Sequence, residues 1–288
     1  MKIGIIGLGL IGGSIGRALI AKTNHTVLGY DIDPVTMEKA ILLRAMQDEL
    51  TEDKIKECDI VVLALNPQQA IEYMPKVCKL SKPGTIITDI CGNKRDVIKK
   101  MEELKKEFED IEFIGVHPMA GREFSGIEHS MATLFEHSFA IVIPVHATIT
   151  AIETIKNLYK DIGCEGITYS TAEKHDNIIA YTSQLAHIVS IAYVKNENAL
   201  NHAGYSAGSF RDMTRVARMN PEMWAQLFIE NKDNLIGEID ILQKNIEELK
   251  QAIIKQDKDE LKGLLQEGVD LKAKSEDALK ERRKNERN

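Results

Sequence analysis

Apolar and polar positions change their rhythm about three fifths of the way along the chain. In the first part, short β-branched runs at Lys2 to Ile6, Thr26 to Tyr30, Asp59 to Leu65, Thr85 to Asp89, Glu112 to Val116, Phe139 to Val145 and Gly166 to Tyr169 read as strands. Leu10 to Lys22, Pro34 to Arg44, Pro67 to Leu80 and Lys94 to Phe108 carry helical spacing between them. Two of these open on a proline, which suits the first helical turn because the missing N–H has no intrahelical acceptor there. Strands alternating with helices predict βαβ units, so the first part is expected to be α/β, a doubly wound, Rossmann-like parallel sheet. After Ser170 the strand signal fades. Helical stretches at Thr171 to Asn196, Ser206 to Met219, Pro221 to Ile253 and Asp257 to about Lys284 predict an all-α C-terminal domain. The expected domains are residues 1–170 and 171–288. Leu235, Ile239, Leu242, Ile246 and Leu249 recur at three- and four-residue spacing. A helical layer of about 120 residues is thin for such a stripe, so burial against a second copy, a homodimer, is expected.

Composition narrows the function. The chain has 288 residues, of which 43% are hydrophobic and 28% charged, enough for a packed core. Lys and Arg total 37 against 44 Asp and Glu, and the net charge of −7 argues against a nucleic-acid or anionic-membrane surface. An anionic substrate therefore needs a local basic cluster. Cys58, Cys78, Cys91 and Cys164 form neither a CxxC pair nor a metal-ligand spacing, so no metal site is expected and a reducing, cytoplasmic setting fits. Lys2 and the apolar stretch to Ala21 have the outline of a secretory signal, but six glycines at positions 4, 7, 9, 12, 13 and 16 and the charge of Arg17 interrupt it. The basic run from Leu271 to Asn288 reads as a solvated helix end.

Candidate chemistry begins at the first turn. Gly7-Leu8-Gly9-Leu10-Ile11-Gly12 is a GxGxxG that follows an expected strand and opens an expected helix. In that context Gly7 permits the tight turn, Gly9 lets a pyrophosphate approach, and Gly12 lets helix pack on strand, with the helix N-terminus facing the phosphates. Asp31 ends the second strand, where a carboxylate accepts from both ribose hydroxyls and repels a 2′-phosphate. The expected cofactor is NAD. Ligands gather at the carboxyl ends of strands in such sheets, which adds Leu65, Asn66 and Asp89 to the cofactor-side candidates.

The same rule singles out His117, which follows Val116 and precedes Pro118-Met119-Ala120-Gly121. A neutral imidazole there can take a proton from a substrate hydroxyl while hydride leaves the same carbon. Further on, Arg211, Arg215 and Arg218 stand at i, i+4 and i+7, one face of an expected helix and either a carboxylate clamp or a solubilising face. Asp176, Ala180, Ser183 and His187 share another helical face, with Gln184 beside them.

These residues carry a resemblance. The first turn, the His117 to Gly121 segment followed by Glu123 and Ser125-Gly126, Glu173-Lys174-His175-Asp176, and Phe210-Arg211-Asp212-Met213-Thr214-Arg215 followed by Asn220-Pro221-Glu222-Met223-Trp224 together resemble the prephenate and arogenate dehydrogenases of tyrosine synthesis. The likeness runs from residue 1 to about residue 250. It implies NAD-dependent oxidative decarboxylation of prephenate to 4-hydroxyphenylpyruvate, or of arogenate to tyrosine. By the resemblance, His117 is the base, Arg215 holds a substrate carboxylate, and His187 is a second pocket histidine. Gln184 stands where many relatives have histidine, and Lys94 keeps its place as a further substrate contact. Gly92 stands where relatives commonly have a serine that orients the base or the substrate; water, Asn93 and Cys91 are the candidates to replace that contact. Two alternatives stay open: another two-domain NAD(P)-dependent oxidoreductase acting on a hydroxy acid or imine, and a non-catalytic NAD-binding regulator suggested by Gly92.

Overall fold

The computed structural model describes residues 1–287. Eight strands form one sheet: β1 (Lys2–Ile6), β2 (Thr26–Tyr30), β3 (Asp48–Glu49), β4 (Ile60–Leu63), β5 (Ile86–Asp89), β6 (Glu112–Pro118), β7 (Phe139–Val145) and β8 (Gly166–Tyr169). Their order is β3-β2-β1-β4-β5-β6-β7-β8, and every pair is parallel except β6 with β7. The expected doubly wound sheet is present, and the antiparallel pair corrects its all-parallel reading. Strand period cannot give direction, and the connection from β6 to β7 contains a single 3₁₀ turn instead of the crossover helix that a parallel neighbour needs.

The helices of this half are α1 (Leu10–Lys22), α2 (Pro34–Leu42), α3 (Glu52–Ile55), α4 (Pro67–Leu80), α5 (Arg95–Glu107) and α6 (Ile149–Asp161). They bury apolar stripes on opposite faces of the sheet. Ile15 and Leu19 of α1 pack with Ile155 and Leu158 of α6, whereas Met74 and Val77 of α4 pack with Val97 and Met101 of α5. Helix α6 is an element the strand-and-helix reading above omits. Its signal lies in Thr148, whose hydroxyl accepts from the Ala151 N–H, and in buried Ala151, Ile155, Leu158 and Tyr159 at helical spacing.

Helices dominate beyond β8: α7 (Ala172–Ile179), a π-helical segment at Ala180–Leu185, α8 (Ala186–Val194), α9 (Gly208–Thr214), α10 (Pro221–Glu230), α11 (Lys232–Ile254) and α12 (Lys258–Arg287). Two expected helices are interrupted. The Thr171 to Asn196 stretch carries the π turn, and Pro221 to Ile253 breaks at Asn231, whose φ of −111° and ψ of 25° leave the helical region. The second half has little core of its own: in α9 and α10 no residue is buried, and in α11 only Leu235 and Ala252 are. No helix among the described residues is long and apolar enough to cross a membrane.

Candidate active site

Residues that follow β1, β2, β4 and β5, with the end of β6, converge along one end of the sheet. The glycine loop there is over-determined. Gly7 has φ of +92°, and a Cβ on it would come within 2.4 Å of the Ala64 carbonyl oxygen; a Cβ on Gly12 would lie 2.0 Å from the Gly7 carbonyl oxygen. Gly9 is different, with open space around it. Gly9 caps α1 without a side-chain bond, and no acid stands in the first turn, so the N–H groups at Leu10 and Ile11 are left for a ligand. Asp31 accepts from the Leu8 N–H at 2.7 Å and the Asp33 N–H at 3.0 Å, which fixes its carboxylate beside the loop. This cradle fits a dinucleotide: a bare helix N-terminus, a glycine with nothing opposite it, and a carboxylate at ribose distance along the chain. Beside it, a hollow of about 240 Å³ is lined by Ile6, Tyr30, Leu50 and Tyr73 among others.

The other cofactor-side candidates divide. Leu65 is half-buried, and its carbonyl faces the Cys91 thiol at 3.5 Å; Asn66 caps α4 by accepting from the Gln69 N–H at 2.9 Å. Asp89 is fully buried, and Oδ2 accepts from Lys94 Nζ at 2.5 Å and from the Cys91 N–H at 2.8 Å. Asp89 and Lys94 form an ion pair with no exposed side-chain surface, and Lys94 Nζ also donates to the Val116 carbonyl at 2.5 Å. This corrects the expectation that Asp89 meets the cofactor and Lys94 the substrate, because a cation and an anion withdrawn from water satisfy each other first.

Lys94 instead lies beneath His117, through its bond to the Val116 carbonyl. His117, half-buried at the end of β6, places Nδ1 2.8 Å from Nε2 of His175, and His175 Nδ1 lies 2.7 Å from Asp176 Oδ1. Asp176 is held by the backbone N–H groups of Lys94 at 2.8 Å and Arg95 at 3.0 Å, so it sits on the N-terminus of α5. The protons follow from donors and acceptors. The carboxylate can only accept, so His175 carries its proton on Nδ1 and accepts on Nε2. His117 must then donate from Nδ1, which leaves its Nε2 with a free lone pair. Burial, then the neighbouring His175 and Lys94, pushes the His117 pKa well below the ordinary imidazole value. Burial also lowers His175, against the pull of Asp176; burial would raise Asp176, but its bonds to His175 and to the Arg95 and Lys94 N–H groups hold it below the usual carboxylate range.

His175 lies inside the Glu173 to Asp176 motif, to which the sequence alone gives no role, and the structure sets it between His117 and Asp176. Neither Asn93 nor Cys91 reaches His117, whose Nδ1 is met by His175. Asn93 instead donates to the Leu227 carbonyl and Glu230, and the Cys91 thiol turns to Leu65.

The substrate-side candidates are dispersed. Gln184 is 1% exposed, with Nε2 on Asn93 Oδ1 at 2.9 Å and Oε1 accepting from Asn231 at 2.9 Å, so it has no group left for a substrate. His187 stacks on Trp224 with ring centres 3.7 Å apart, and its Nδ1 meets the Ser183 carbonyl at 2.9 Å, leaving Nε2 for a ligand. Arg215 is exposed and paired with Glu123. The one-face arrangement of Arg211, Arg215 and Arg218 is corrected: α9 ends at Thr214, Arg215 opens a 3₁₀ turn, and Arg218 is extended, so only Arg215 is directed to the Glu123 segment that follows His117.

A dinucleotide cradle at a strand-order switch, an imidazole with a free Nε2 at the end of β6, two strands beyond β4, and a helical half whose Arg215 reaches the segment after β6 define a nucleotide-dependent dehydrogenase. Residues 15–168 match the family model of the prephenate dehydrogenase nucleotide-binding domain, and residues 171–267 that of the prephenate dehydrogenase dimerization domain. The chain is 32% identical to a cyclohexadienyl dehydrogenase of Zymomonas mobilis over 90% of each chain, and 29% identical to a Bacillus subtilis prephenate dehydrogenase over 89% of this chain and 71% of that one. Among solved structures, the prephenate dehydrogenase of A. aeolicus in complex with hydroxyphenyl propionate and NAD+ superposes with a TM-score of 0.82 at 29% identity, covering 96% of this chain and 98% of that one. The arogenate dehydrogenase of Synechocystis gives 0.80 at 25% identity, covering 96% and 100%. The chain belongs to the prephenate dehydrogenase family. Its activity is NAD-dependent oxidative decarboxylation of prephenate, a step of tyrosine biosynthesis.

Proposed function

We propose that His117 is the base of this reaction, and that the chain from His117 Nδ1 through His175 to Asp176 is the observation that carries the assignment. Bound NAD supplies the hydride acceptor. The free Nε2 of His117 takes the proton of the ring hydroxyl as hydride leaves the carbinol carbon, and the ring becomes aromatic with loss of carbon dioxide. His175 keeps the imidazole in the tautomer that can accept, and Asp176 stabilises positive charge that spreads along the chain as His117 is protonated.

Gly7 to Gly12 and Asp31 hold the pyrophosphate and ribose in this reading, with the hollow beside Tyr30 and Tyr73 for the adenine. Arg215 binds a substrate carboxylate in place of Glu123, and His187, backed by Trp224, lines the same pocket. The domain boundary falls near residue 170, between β8 and α7. The molecule is a homodimer through the helical half, and a reducing cytoplasm suits four free, buried thiols. Purified protein should form NADH from prephenate and NAD, and H117N should abolish turnover while keeping NAD affinity; turnover surviving H117N would sink the assignment. Arogenate assayed in parallel decides side-chain preference, which the likeness to an arogenate dehydrogenase makes worth measuring.

A further inference from the structure

We infer that Asn231, at the junction of α10 and α11, is a positioning residue for the base, acting through Asp176. Asn231 has no exposed surface, and its side chain is fully engaged. Nδ2 donates to the Asp176 carbonyl at 2.8 Å and to Gln184 Oε1 at 2.9 Å; Oδ1 accepts from Arg95 at 3.0 Å and from Asn234 at 2.8 Å. The backbone leaves the helical region at this residue and splits what would be one long helix in two. An asparagine forgoing helix geometry to make four side-chain bonds, two of them fully buried, is a local break of the rules that points to a role beyond helix formation.

The bonds converge on the proton chain. Asp176 is gripped at its carbonyl by Asn231 and at its carboxylate by the Lys94 and Arg95 N–H groups. Arg95 donates from Nε to Asp176 and from its terminal nitrogens to Asn231 and Asp233, so one guanidinium joins the start of α5 to the start of α11. Gln184 completes the loop, and the π turn that carries it brings its amide between Asn231 and Asn93. The charged and titratable groups facing the two imidazoles are Asp176 from α7, Lys94 from the start of α5 and Asp89 from β5. Asn231 adds no charge to that set. It fixes where Asp176 stands and, through His175, where His117 points.

This rests on His117 as base, so the experiment first requires that wild type turns over prephenate and that H117N does not. With that established, N231L and N231D, which keep the branching at Cγ but remove the Nδ2 donor, should lower kcat by about tenfold to a hundredfold. KM for prephenate should stay within about twofold, because ground-state contacts are untouched. In N231L the base limb of the kcat/KM profile should move up toward the ordinary imidazole value as water reaches a loosened His117. N234A, which removes one of two donors to Oδ1, should change kcat by less than about twofold. In a His175→Ala background N231L should cost less than about twofold, since the chain it acts through is gone. An equal loss in both backgrounds, or a pH profile unchanged in N231L, would overturn the proposal. So would failure of both Asn231 variants to fold, which would make the residue a determinant of folding alone.

Discussion

Half-buried His117 and buried His175 both stand in surroundings that favour the neutral imidazole. Both His117 and His175 have pKa values pushed down by burial, so His117 Nε2 is free to accept a proton at pH values where an exposed histidine is already charged. The base limb of kcat/KM against pH is expected below about 6.5, the unperturbed imidazole value. The same shift has a stability consequence of fixed sign. Folded-state pKa values lie below the unfolded one, so between them the unfolded chain binds protons that the native chain does not. Thermal melts should show Tm falling as pH drops below about 6.5, and the H175F variant should show a smaller fall. A Tm independent of pH between neutrality and the acid limb would contradict neutral buried imidazoles. Gly92 belongs to the same scale. A Cβ there would approach Leu227 no closer than 3.4 Å, so a serine fits, but His117 Nδ1 is already bonded to His175. G92S should therefore raise kcat by less than about twofold. Lys94 behaves oppositely: K94M leaves Asp89 as an uncompensated buried charge, and denaturant unfolding should register a loss of about 3–5 kcal/mol.

Among the elements, the N-terminus of α1 lends itself to a paired substitution. Gly9 and Gly12 look alike in sequence, yet only Gly9 has free space around it. G9A should melt with wild-type protein and lose NAD affinity by about tenfold or more, because the methyl group takes the room a phosphate needs. G12A should lose stability instead, since its Cβ would collide with the Gly7 carbonyl. Equal melting temperatures for the two variants would show the loop to be softer than this geometry requires. The loop, the Asp31 carboxylate and most strand limits were legible because each depends on local rules: the period of two, the proline at N1, the glycine turn. What was not legible depends on partners distant in sequence. The direction of β7 is decided by a connection without a helix, the break at Asn231 by its bonds to Asp176 and Gln184, and the fate of Lys94 by Asp89 and Val116 closing over it. Arg215 was identified by motif, but its separation from Arg211 and Arg218 comes from the early end of α9.

For the whole molecule, the unfinished surface is the helical half. Ile241, Ile246, Ile253 and Ile254 on α11 and Leu265 and Val269 on α12 are all more than half exposed, on helices that bury little else. Such apolar area, all but Val269 on the segment matched by a family dimerization domain, fits a surface that a second copy would cover. In a two-fold dimer each substitution acts twice. Burying one isoleucine is worth about 1.5–3 kcal/mol, so a charge in its place on both subunits removes about 3 kcal/mol or more of association energy, a factor of a hundred or more in Kd. Light scattering of wild type at micromolar concentration should give twice the chain mass of 32.3 kDa, and I246E should shift it toward the single chain. Because the helical half also carries Arg215, His187 and Asn231, loss of the dimer should lower activity along with mass as the protein is diluted. A wild-type monomer at that concentration, or an I246E dimer as tight as wild type, would mean that these isoleucines face something other than a second copy.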